Sequence, residues 1–315
     1  KIATPSYELQ GDNMLDKLIK TSIAVVTLGS LLYAGTFNTQ AEKDRLAMQQ
    51  FFLKKFENPL KNRAEYFPNV SEAEIKKDYI YPVKLEDFKD GTAAWYRPTK
   101  EQLEEINAFP PYDIPLDEGK ELYNKPFANG KTYSSCFPSP AIKQNYPYFD
   151  TKRNEVITIG QAVNECRVKN GEKPLKYGKG DIAKIIAYIA YESRGKVIDV
   201  KIPNAAAEKA YEAGKKEFYK QRGYLALSCQ ECHVLGSGQR IRAEALSPTL
   251  GQVTHMPVYR IKWGGLGTLQ RRLSGCVRDT GSEKPKLQSK ILKDLEYFLT
   301  YMSNGLKLNG PDTRK

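Results

Sequence analysis

The chain has 315 residues, 49 Lys and Arg against 37 Asp and Glu, and a formal net charge of +12. With 40% hydrophobic residues it has the bulk for more than one core, which excludes a disordered tail or a minimal disulfide scaffold. The basic excess suits acidic proteins or small anions, and without a dense Lys/Arg block or a recognised binding motif it argues against a nucleic-acid partner.

Residues 14–41 have the features of an export signal. Lys17 and Lys20 precede an apolar run from Ile23 to Ala34, and Thr39 and Ala41 are small residues suited to a cleavage site. That run is short for a bilayer span, so the expectation is a processed periplasmic protein with no stable membrane span. Disulfides are chemically permitted in that compartment. Residues 42–58 predict an amphipathic helix, with Leu46, Phe51, Phe52 and Phe56 on one face. The Pro- and Tyr-rich stretch that follows, ending at Phe109-Pro110-Pro111-Tyr112, predicts an extended arm wrapped on something larger. Residues 42–104 thus form an N-terminal extension.

Beyond it the chain repeats itself. Gly119-Lys120-Glu121-Leu122-Tyr123 leading to Cys136 parallels Gly214-Lys215-Lys216-Glu217-Phe218-Tyr219 leading to Cys229. Gly160, Cys166 and Lys173-Pro174 parallel Gly267, Cys276 and Lys284-Pro285, each series followed by a predicted helix, over 181–192 and 289–302. Ile185, Ile186 and Ile189 in one closing helix, and Leu292, Leu295, Phe298 and Leu299 in the other, have the spacing of a buried stripe. Gly305 after Asn304 is suited to cap the last helix.

Cys229-Gln230-Glu231-Cys232-His233 is the attachment pentapeptide of c-type haem. The two thiols add to the vinyl groups and the imidazole reaches the iron from one face. A zinc site would need further Cys or His at paired spacing, and the remaining His is His255. The predicted fold class is therefore mainly α, with two tandem cytochrome c-like domains over 105–200 and 201–315 behind the extension. The sixth iron ligand stays open among His255, Met256, Met302 and Cys276; position before the closing helix favours Cys276.

The run Pro257-Val258-Tyr259-Arg260-Ile261-Lys262-Trp263, then Gly267-Thr268-Leu269-Gln270-Arg271-Arg272, Gly275-Cys276 and Tyr301-Met302-Ser303-Asn304-Gly305 resembles the SoxA subunits of SoxAX cytochromes, the L-cysteine S-thiosulfotransferases. The resemblance covers about residues 105–315. It implies that Cys276 ligates the iron and becomes a cysteine persulfide, and that Arg272 binds thiosulfate. It further implies a SoxX-type cytochrome partner and a SoxYZ carrier whose cysteine accepts the thiosulfate. Four residues apart, Arg272 and Cys276 share a helix face, and a guanidinium there can grip sulfonate oxygens. Arg271 is expected on a solvated face.

Relatives with two haems carry one per repeat, whereas here Ser139 and Pro140 stand where the first pentapeptide needs Cys and His. The expectation is one haem c, held by Cys229, Cys232, His233 and Cys276, with Cys136 and Cys166 joined as a disulfide. Two alternatives remain: a tetrathionate-forming thiosulfate dehydrogenase and a plain electron-transfer cytochrome.

Overall fold

The computed structural model describes residues 36–241 and 244–314. The apolar run of the expected export signal lies outside them. Among the described residues no helix is long and apolar enough to cross a membrane.

Helix α1, Thr39–Glu57, buries Phe52 and Phe56 completely, while Leu46 stays exposed. It begins upstream of the expected cleavage position, and Ala41 is already packed in the core. The stretch after α1 does wrap on the rest of the chain, but it is not extended. Its prolines cut it into short helical pieces, including Glu72–Asp78, a 3-10 segment over Leu85–Ala94, and α2, Arg97–Asn107, which carries Pro98 in its first turn. Phe67, Phe88 and Trp95 from these pieces are fully buried beside Phe56.

The first repeat holds α3 (Asp113–Asn124), the hairpin β1 (Tyr148–Asp150) and β2 (Glu155–Ile157), α4 (Ile159–Lys169) and α5 (Asp181–Glu192). The second holds α6 (Ala205–Tyr219), β3 (Val258–Arg260), β4 (Gly265–Gly267), α7 (Leu269–Asp279) and α8 (Lys290–Met302). A terminal strand β5, Asp312–Arg314, lies parallel to β3 on the side away from β4. From the hairpins onward the repeats share a register. Thr158 and Thr268 cap α4 and α7 by accepting from Gln161 N and Arg271 N, so Cys166 matches Cys276. This corrects the pairing of Gly160 with Gly267, because Gly160 stands two residues after its cap and Gly267 one residue before its own.

In each half the first helix crosses the closing helix at a glycine. A Cβ on Gly119 would fall 2.1 Å from Lys184 O, and one on Gly214 would fall 2.1 Å from Asp294 O. Only hydrogen allows these backbones to approach so closely. Gly214→Ala is therefore expected to lose about 1–3 kcal/mol through overpacking, outweighing the roughly 1 kcal/mol gained in helix propensity. Urea unfolding checks this, and an unchanged or raised midpoint would refute the close approach.

The segments after the two closing helices pair with each other, Gly195 N donating to Leu308 O and Gly305 N to Ile198 O. Gly305 caps α8 with φ of 90°.

Two hydrophobic cores result. One is built by residues 112–189, with Leu266 joining it from the other half. The other combines the extension with α6 and α8, and Phe149 and Val156 of the first hairpin also reach it. Asp44 of α1 fastens that second core, accepting from Tyr211 Oη at 2.9 Å and Lys215 Nζ at 2.7 Å.

Candidate functional site

A capping box starts the site. Ser228 N donates to Glu231 Oε2 at 2.6 Å, and Gln230 N donates back to Ser228 Oγ at 3.2 Å. These bonds launch the turn Glu231–Leu235, which hydrogen-bonds in π fashion and carries Cys232 and His233. Its far end is capped from the extension: Lys55 Nζ donates to Val234 O at 3.1 Å and Leu235 O at 2.8 Å. Burial pushes the Lys55 ammonium down to about 7, and the rings of Phe51, Tyr66 and Phe67 surround it.

His233 is held neutral. Burial pushes it down to about 4; its bond to Ser247 opposes this, and the charge of Arg272 adds to it. Nδ1 lies 2.8 Å from Ser247 O. A carbonyl only accepts, so Nδ1 carries the proton and Nε2 keeps the lone pair a metal needs.

Arg272 and Cys276 lie one turn apart on α7, both half-buried, while Gln270, Leu273 and Ser274 of the same helix are buried. Cys229, Cys232 and Cys276 are without disulfides, and their fields overlap. Burial pushes Cys229 up to about 12, with Arg222 opposing and Cys276 and Cys232 adding. Cys232 is likewise raised by burial, then by Cys276 and Glu231, against Arg272. The fold thus brings together Cys229, Cys232, His233, Arg272 and Cys276, residues drawn from two separate segments.

The other candidate iron ligands are engaged elsewhere. His255 is wedged between the extension and β5, with Nδ1 3.4 Å from Lys89 O. Met256 lines a cavity between the halves with Lys143 and Glu296, and Met302 is 1% exposed inside the core. Arg271 is not on a solvated face as expected. Its guanidinium lies 4.1 Å from the centre of the Trp263 ring and donates to Leu266 O at 3.3 Å, so it holds Trp263 in place.

In the first half Cys136 and Cys166 form a disulfide, with Cα atoms 5.9 Å apart. Around it Tyr123, Phe127, Tyr133 and Phe137 form a buried aromatic stack.

Two thiols and an imidazole with a free Nε2 in one turn, with a third free cysteine on the neighbouring helix, are a donor set that fits a covalently attached haem. Lys55, Trp263, Ser247 and Gln252 were missed in the sequence, since a lone Lys or amide carries no spacing signal; Trp263 did fall in the run that carried the resemblance.

Residues 118–198 match the family described as SoxA/TsdA, cytochrome c domain, which is the half without the pentapeptide. The chain is 52% identical over 251 residues to the L-cysteine S-thiosulfotransferase subunit SoxA of Chlorobaculum thiosulfatiphilum, covering 78% of this chain and 88% of that one. It is 43% identical to the SoxA subunit of Allochromatium vinosum, covering 87% and 90%. The crystal structure of SoxXA from P. pantotrophus superimposes with a TM-score of 0.63 at 29% identity, covering 68% of this chain and 84% of that one. A cytochrome c domain of this family implies haem c, and at this identity and coverage the chain belongs to the SoxA family, the catalytic subunits of L-cysteine S-thiosulfotransferase.

Proposed function

We propose that this SoxA chain carries one haem c and uses it in the oxidative conjugation of thiosulfate to a cysteine of a SoxYZ-type carrier in the periplasm. The observation that carries this reading is the meeting of Cys229, Cys232 and His233 with Cys276 and Arg272. Cys229 and Cys232 would hold the haem through thioether bonds, and His233 and Cys276 would ligate its iron. When bound, the haem supplies a one-electron acceptor and an iron that accepts a sulfur ligand.

The chain's own residues do the rest. Arg272 grips the sulfonate oxygens of thiosulfate through charge-assisted hydrogen bonds and turns its outer sulfur toward Cys276. Cys276 is the covalent relay: its persulfide, Cys276–S–S−, would join the outer sulfur of thiosulfate with loss of two electrons to give Cys276–S–S–S–SO3−, and the carrier thiolate would then take the S–SO3− group and return Cys276–S–S−. Overall, thiosulfate dianion and a carrier thiol give Cys–S–S–SO3−, one proton and two electrons. The electrons leave to a SoxX-type cytochrome, the partner type suggested by the P. pantotrophus SoxXA complex.

One haem per chain follows from the first half. Its two cysteines are paired with each other, and Ser139 and Pro140 replace the second thiol and the imidazole. A pyridine haemochrome assay on the mature protein, with intact mass, is expected to give one haem per chain. Two haems, or one attached near Cys136, would overturn the assignment. Turnover of thiosulfate should require the carrier; tetrathionate formation without it would favour a dehydrogenase.

A further inference from the structure

The proximal imidazole has more polar neighbours than one nitrogen can serve as placed. Nδ1 of His233 lies 2.8 Å from Ser247 O, 2.6 Å from the terminal amide of Gln252 and 3.4 Å from Ser247 Oγ. The same Gln252 amide atom lies 3.1 Å from Ser247 Oγ. Ser247 O only accepts, so Nδ1 must be protonated there, and a second N–H aimed at it would repel. A half-turn of the amide exchanges its nitrogen and oxygen. With the oxygen toward His233, the set closes: Nδ1–H is shared between Ser247 O and Gln252 Oε1, and the Ser247 hydroxyl donates to Oε1.

The loop that carries Gln252 is fixed from both sides. Thr249 N donates to His233 O at 2.9 Å, and Gly251 N donates to Ser303 Oγ at the end of α8 at 3.2 Å. Gly251 has φ of 83°, and a Cβ there would fall 1.9 Å from Phe88 O of the extension. The single Thr254 hydroxyl proton is shared between Lys89 O and Gly251 O, each 2.6 Å from Oγ1. Gln252 is thus held beside the imidazole by the extension on one side and the closing helix on the other.

We propose that Gln252 is a positioning residue for the proximal histidine, its side-chain oxygen accepting a second share of the His233 Nδ1–H bond. This rests on the haem reading above. A second acceptor makes the ring a stronger donor through Nε2, which favours ferric over ferrous iron and lowers the reduction potential.

The test is the midpoint potential of the holoprotein, with its electron paramagnetic resonance spectrum. Gln252→Leu removes the acceptor and is expected to raise the potential by about 30–60 mV, a three- to tenfold change in the ferrous/ferric ratio at roughly 59 mV per decade. Gln252→Glu offers only oxygens and is expected to lower it by at least as much. Both variants should keep a low-spin, histidine-ligated spectrum, because the bond to Ser247 O remains. If Gln252→Leu does not load haem, Gln252→Glu alone decides by the sign of its shift. A potential unmoved in both, or raised by Glu, overturns the role of Gln252. A wild-type spectrum without histidine ligation overturns the haem reading instead, so the two failures are distinguishable.

Discussion

Cys276→Met is expected to keep a low-spin haem while thiosulfate conjugation falls by roughly a thousandfold or more, the scale on which enzymes lose activity with their covalent nucleophile. Met fills similar space and still offers sulfur to iron, yet a thioether cannot form a persulfide. Its weaker donation should also raise the haem potential relative to thiolate. Arg272→Ala supplies the contrast. It removes a cation one turn from Cys276, so the ligand set should survive while kcat/KM for thiosulfate drops roughly ten- to hundredfold, the worth of one charge-assisted hydrogen bond. Steady-state assays with carrier and thiosulfate, read beside the visible spectrum, check both. Wild-type turnover by Cys276→Met would make Cys276 only a ligand or a bystander.

The separation of Arg272 from Arg271 shows where the sequence ran out. Both sit on α7, and helical spacing pairs Arg272 with Cys276; what Arg271 does depends on Trp263, which a loop brings to within 4.1 Å of its guanidinium. Periodicity describes one element at a time and is silent on which loop returns to it. The repeat was legible because cysteines, Lys-Pro pairs and apolar stripes recur, and the Cys136–Cys166 disulfide stands where the alignment of the two repeats put it. The slip of Gly160 against Gly267 arose because the true markers of register are the caps Thr158 and Thr268, and a lone Thr is a weaker signal than a Gly. The extension was misread for a different reason. Pro59, Pro68, Pro82 and Pro98 break it into pieces shorter than a pattern window, and these are helical because they are buried, not because their own periodicity demands it.

That burial carries the largest expected loss of stability. Trp95 is fully buried, with ring centres 5.9 Å from Phe56, 5.1 Å from Tyr79 and 5.2 Å from Tyr96. Trp95→Ala should cost about 3–5 kcal/mol, as other large-to-small aromatic changes in cores do, against a total stability of roughly 5–15 kcal/mol. Trp95→Phe should cost much less, because it keeps a ring in place and removes an indole N–H that has no hydrogen-bond partner among the described residues. The loss should also be located. Trp95 shares its core with Tyr211 of α6 and Phe298 of α8, and Lys55 reaches from the same extension to the turn that carries Cys232 and His233. The other core, around Tyr133 and Ile185, begins at Tyr112 and contains no residue of the extension. Hydrogen exchange on Trp95→Ala is therefore expected to show protection falling in α1, α6 and α8 and persisting in α3 and α5. If α6 and α8 kept wild-type protection, the extension would be an appendage, and its contacts with the half that carries the pentapeptide would contribute little to holding His233 in place.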